Sequence, residues 1–171
     1  MISKEMERVA SAQLVIIEKY TSTFPVQLGE LAKELGVSAV KISSFRTGIS
    51  GQIAKEGGQY VIRVNRNEAR ERQRFTIAHE LAHFLLHRPL IDDSPDGITD
   101  NVLYRSGAPQ EVEYEANRLA ADLIMPVVQL KMMVESYFNG ILNDAAIEKL
   151  ASDFGVSKAA MEIQLSKVIG V

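Results

Sequence analysis

No cysteine occurs in the 171 residues of this sequence, so neither a disulfide framework nor thiolate ligation of a metal is open to it. Charge of one sign is also scarce. The formal net charge is -3, with 24% charged and 46% hydrophobic residues, a balance that suits a globular domain and gives no broad attraction to nucleic acid or anionic lipid. Long apolar runs are missing. The longest early one, Leu14 to Ile17, falls far short of the ~20 residues a bilayer requires, and no basic, apolar, small-residue leader opens the sequence. A cytoplasmic location without a membrane partner is therefore expected. Histidine is scarce too: only three are present, standing together as His79, His83 and His87. A chain of this length can bury a core without a structural metal, so any metal those histidines hold is expected to be functional.

Apolar residues at spacings of three and four (Met6, Val9, Ala10, Leu14, Ile17 and Tyr20) predict an amphipathic helix over 4–20, with Ser3 as its cap. A second helix is expected over 26–35, entered after Pro25 and stopped by Gly36. From 39 to 65 the period changes to two, in Val40 and Ile42, Ile49 and Ile53, and Tyr60, Ile62 and Val64. With Thr47-Gly48 and Gly57-Gly58 between the runs, this predicts a three-stranded antiparallel meander.

Residues 67–88 contain neither glycine nor proline. Asn67 offers an N-cap and Pro89 ends the run, giving the strongest helix signal in the chain. Residues 89–110 read as a long polar connection, 111–125 as a helix stopped by Pro126, and the remainder as two or three further helices. No linker divides the sequence, and a single domain over 1–171 is expected. One internal echo exists: residues 31–38 (LAKELGVS) resemble 150–157 (LASDFGVS). Both look like the helix, glycine turn, helix pattern of DNA-binding motifs. Neither following helix has a basic polar face, so helical hairpins packed on a core are the preferred reading and direct nucleic-acid binding is not expected.

His79, Glu80 and His83 form an HExxH unit in the strongest helix. Residues four apart on a helix are separated by about 6 Å of rise and about 40° of rotation, so both imidazoles face one side and can share one metal ion. Glu80 lies about 100° further round, where its carboxylate can reach a water on the ion without ligating it. In a continuous helix His87 stands about 12 Å along the axis from His79, too far to share that ion, and is assigned a capping or supporting role at the helix C-terminus.

A catalytic zinc takes a third protein ligand, which here must be Asp or Glu. The following helix offers Glu111, Glu113, Glu115 and Asp122. Glu113 shares its face with Ala116, Asn117, Ala120 and Ile124, whereas Glu115 shares its face with Arg118 and Asp122. Only the first face suits burial, and its alanines allow close approach to Ala78 and Ala82 of the HExxH helix. Glu113 is therefore preferred over Glu115.

The blocks Arg72-Gln73-Arg74-Phe75-Thr76-Ile77-Ala78-His79-Glu80-Leu81-Ala82-His83 and Glu113-Tyr114-Glu115-Ala116-Asn117-Arg118-Leu119-Ala120-Ala121-Asp122-Leu123-Ile124-Met125-Pro126 resemble the ImmA/IrrE family of zinc metallopeptidases. Residues 48–53 and 60–65 resemble the sheet region of that family, so the likeness covers about 25–130. It implies an α+β, zincin-like fold in which a small antiparallel sheet packs with the HExxH helix and several others. The catalytic core would then lie at about 25–130, with a helical segment over 131–171.

The resemblance further implies Zn2+ as cofactor, His79, His83 and Glu113 as its ligands, and Glu80 as general base in hydrolysis of a peptide bond. The implied substrate is a helix-turn-helix transcriptional repressor. Tyr104, Arg105 and Tyr114 are candidates for oxyanion contact only through their nearness in sequence, and an exposed sheet edge is expected to align an extended substrate. Two rival readings accompany this one: a zinc-stabilised transcription factor using the two echo segments, and a regulatory or toxin-antitoxin protein that keeps the metal site and acts by binding.

Overall fold

The computed structural model describes residues 3–101 and 110–170. The chain opens with α1 (Lys4–Glu7) and α2 (Ser11–Thr21) rather than one helix over 4–20. Ser3 caps α1, its Oγ accepting from the Met6 N–H at 3.2 Å. Ala10 then takes an extended conformation, and the break lets α1 lie on a later helix through a Glu5–Arg118 ion pair at 2.7 Å. Helix α3 (Leu28–Leu35) ends at Gly36, whose φ of 111° lets its N–H return to the Ala32 and Lys33 carbonyls.

The strands are β1 (Val37–Ser43), β2 (Ile49–Glu56), β3 (Gln59–Asn65) and β4 (Ile98–Asn101). Their order is β1-β3-β2-β4, and this corrects the expected three-stranded antiparallel meander. β1 runs parallel to β3, with Val40 beside Ile62 and Ile42 beside Val64. Only the pairs β2–β3 and β2–β4 are antiparallel. The burial of Val61, Ile62, Val64 and Asn65 explains the order. β3 is covered on both faces, and a strand so covered belongs in the interior of a sheet, whereas a meander would have put it at an edge.

The echo segments diverge. Gly36 leads straight into β1, so the first is helix, glycine, strand. The second is a helical hairpin of α8 (Asp144–Phe154) and α9 (Lys158–Ile169). That hairpin buries Leu150, Phe154, Val156, Met161 and Leu165, and Lys158 is engaged by Asp144 and Glu148.

Helix α4 (Arg70–Leu86) starts two residues later than the Asn67 cap predicted. Asn65 Oδ1 accepts from the Asn67 N–H at 3.1 Å, forming a side-chain turn that delays the helix. The helix stops at Leu86, before Pro89, whose ring could not continue it. Pro89 occupies the first turn of the short α5 (Arg88–Asp92), where its missing N–H costs nothing. With β4 as well, the expected polar connection over 89–110 carries two elements among its described residues.

Helices α6 (Gln110–Ile124) and α7 (Val127–Phe138) complete the chain described. α6 packs against α4, and the small residues Ala78, Ala82, Ala116 and Ala120 of the two helices are all at 0% exposure. The other side of α4 faces β2 at Gly51. A Cβ there would stand 2.4 Å from Thr76 Cγ2 and 2.8 Å from the Arg63 carbonyl, so only glycine lets helix and sheet come this close.

Candidate metal centre

Three side chains delivered by two helices converge between α4 and α6. His79 and His83, one turn apart on α4, bring their Nε2 atoms to 3.1 Å from each other. Glu113, in the first turn of α6, places Oε2 at 3.3 Å from His79 Nε2 and Oε1 at 3.6 Å from His83 Nε2. One donor atom from each residue lies within 4.8 Å of the others. The packing of α4 on α6, with buried alanines on both, brings the three together.

The donor set suits a cation. Asn117 presents Oδ1 to His79 Nδ1 at 3.0 Å; an amide oxygen only accepts, so Nδ1 carries the proton and Nε2 keeps its lone pair. Burial drives the His83 pKa down from 6.5 to about 4, the Glu113 carboxylate opposing and His79 reinforcing the shift. The ring is therefore neutral at physiological pH, as metal ligation demands. Two imidazoles and one carboxylate match the donor chemistry of a catalytic zinc site.

Glu80 is at 0% exposure, and neither carboxylate oxygen has a hydrogen-bond partner among the described residues. Burial raises its pKa well above 4.5, and the nearby Asp100 and Glu113 carboxylates add to the rise. Asp100 belongs to β4, which places this edge strand beside Glu80. An unpartnered buried carboxyl is costly, and such groups concentrate at functional sites.

Glu115, the rival third ligand, turns away from this group. Its Oε2 accepts from His87 Nε2 at 2.9 Å and its Oε1 meets Arg8 Nη1 at 2.5 Å. The hydrogen bond from His87, helped by Arg8, holds its carboxyl below the usual range against partial burial. His87 ends α4 as its C-cap residue and approaches His83, Nδ1 to Nδ1, at 3.0 Å. Sequence reasoning missed the pairings of Asn117, Glu115 and Arg8. Only Asn117 left a trace, as a polar residue on the apolar face of Glu113. Among the oxyanion candidates, Tyr114 is exposed, and its hydroxyl accepts from Gln110 Nε2 at 2.6 Å. Tyr104 and Arg105 lie outside the described residues.

An HExxH helix facing a glutamate from a later helix, on a mixed α+β frame, is the arrangement of a metallopeptidase-like domain. The chain belongs to the peptidase family described as IrrE N-terminal-like domain, whose family model matches residues 31–166. That match runs through α7 and α8 into α9, further than the motifs alone reached. A comparison with curated proteins finds no match. Among solved structures, the fold is similar to that of a Mycobacterium tuberculosis transcriptional regulator, with a TM-score of 0.56 and 19% identity over 94% of this chain and 48% of that one. The chain thus spans about half the length of that structure. No helix among the described residues is long and apolar enough to cross a membrane.

Proposed function

We propose that this chain is a zinc-dependent metalloendopeptidase of the cytoplasm, with a helix-turn-helix transcriptional repressor as its substrate. The observation that carries the reading is the meeting of His79, His83 and Glu113 beside a fully buried Glu80 that has no hydrogen-bond partner among the described residues. The repressor substrate follows from the family resemblance.

When bound, a zinc ion supplies Lewis acidity, drawing charge from a peptide carbonyl and acidifying a water. His79, His83 and Glu113 would hold the ion. Glu80 accepts the proton of the attacking water and passes it to the leaving amine. A carboxylate in so dry a site is more basic than one in water, which brings its proton affinity nearer the working pH. β4 is the sheet edge beside Glu80, and an extended substrate segment would add along it as a further strand.

The test is Glu80→Gln. It keeps the size of the side chain and loses the base, so cleavage of the repressor encoded beside the gene should fall by about 10²–10⁴-fold while zinc content stays at wild-type level. Undiminished cleavage in that variant, or repressor control that persists without cleavage, would favour a protein that acts by binding alone.

A further inference from the structure

Resting on that reading, we propose that Glu115 and His87 form a positioning relay that fixes His83 with its Nε2 lone pair turned toward the metal centre. Four contacts in series carry the inference. Glu115 Oε2 lies 2.9 Å from His87 Nε2, and His87 Nδ1 lies 3.0 Å from His83 Nδ1. His83 Nε2 lies 3.1 Å from His79 Nε2, and His79 Nδ1 lies 3.0 Å from Asn117 Oδ1.

The direction of the series follows from what each atom can do. An ionised carboxylate only accepts, so His87 Nε2 bears the proton that faces it. In its neutral form His87 then has a bare Nδ1, which accepts from His83 Nδ1–H. That leaves His83 Nε2 bare. With the relay reversed, His83 would aim an N–H at His79 and could not ligate. Asn117 settles the His79 ring in the same sense, so both ends of the series turn lone pairs inward.

The members are shielded. His83 and His87 are 0% and 6% exposed, and the Glu115 side chain is 19% exposed, so the hydrogen bonds act in a medium where they weigh more than in water. Residues 113 and 115 stand about 200° apart on a helix, so Glu115 does not join Glu113 in the metal group, and its carboxylate meets the imidazole at the end of α4 instead. Carboxylates supporting ligating histidines in this way hold ring orientation and raise ligand basicity.

The experiment uses metal-free protein and zinc alone. The 15N shifts of the His83 ring in metal-free wild type should report a protonated Nδ1 and a bare Nε2. Glu115→Leu and His87→Phe should each give a tautomer mixture at His83 and weaken zinc binding about 10–100-fold in chelator competition. Glu115→Gln, which keeps an accepting oxygen, should restore the wild-type tautomer and most of the affinity. A His83 ring protonated at Nε2 in the wild type overturns the relay. So do unchanged tautomer and zinc affinity in both apolar variants. Should one apolar variant fail to fold, the other and the wild-type shifts decide. A wild type that binds no zinc refutes the metallopeptidase reading instead, and the His83 tautomer still judges the relay.

Discussion

Gly51 and Thr76 face each other so closely that a Cβ on the glycine would stand 2.4 Å from the threonine methyl group. The same Cβ would be 3.4 Å from Glu80 Oε1, so this contact sets both the distance from β2 to α4 and the pocket around Glu80. Gly51→Ala should therefore cost about 1–3 kcal/mol of stability through overpacking and lower activity beyond what the stability loss explains. Denaturant unfolding and assays well below the melting temperature separate the two effects.

The buried Glu80 carboxyl gives metal-free protein a pH signature. Its folded pKa is raised above 4.5, so between 4.5 and that higher value the folded chain binds more protons than the unfolded one, and stability falls as pH rises. Glu80→Gln removes this slope. Below pH 4.5 the two proteins should be about equally stable, and above it the variant should become progressively the more stable. Parallel melting curves across pH 4 to 8 would contradict the burial of an uncompensated carboxyl.

Glu113 and Glu115 should separate cleanly when metal is added. Zinc that binds the folded state alone stabilises it by about 4 kcal/mol at a thousandfold excess over its dissociation constant. Wild-type protein should melt higher with zinc than with a chelator. Glu113→Gln should lose that increment almost entirely, whereas Glu115→Gln should keep most of it. An equal loss in both variants would return the choice of third ligand to the ambiguity of the sequence.

Arg74 lies on the face of α4 away from the metal group. Its Nε donates to the Gly155 carbonyl at 3.1 Å and its Nη2 to the Val26 carbonyl at 3.1 Å, and burial holds its pKa below the ordinary value. A cation over the last carbonyls of α8 also suits the helix dipole. Arg74→Met should cost about 2–3 kcal/mol, since charge-assisted bonds to buried carbonyls are lost. Chemical denaturation measures it, with zinc affinity expected to remain near the wild-type value.

How much of this could be read in the sequence depended on the kind of information each feature needs. The HExxH helix was legible because a fixed spacing on a regular helix determines which side chains share a face. Gly36 was legible as a stop because few other residues adopt a positive φ. The sheet was legible strand by strand yet not in its order: alternation reveals which face a residue occupies but not which neighbour it pairs with, so β1 was paired in the wrong direction. Pro89 was legible as a stop but not as the start of α5, because one ring can close a helix and open another. Asn67 misled because Asn65, two residues earlier, took over the turn. The first echo failed at Val37, where sheet pairing won over a helical likeness. Glu115 was judged correctly as lying off the face of Glu113, but its partners, His87 and Arg8, are distant in sequence and carry no local signal.

The ion pairs Arg8–Glu115 and Glu5–Arg118 have a consequence for where this domain is taken to begin. The family match starts at residue 31, yet Glu5 and Arg8, well before it, grip the helix that supplies Glu113. A chain trimmed to the matched boundary would keep every HExxH residue and the glutamate opposite, while releasing the carboxylate behind His87 from one of its two anchors. The packed unit is larger than its recognisable signature, and its earliest turn helps to hold the carboxylate behind His87.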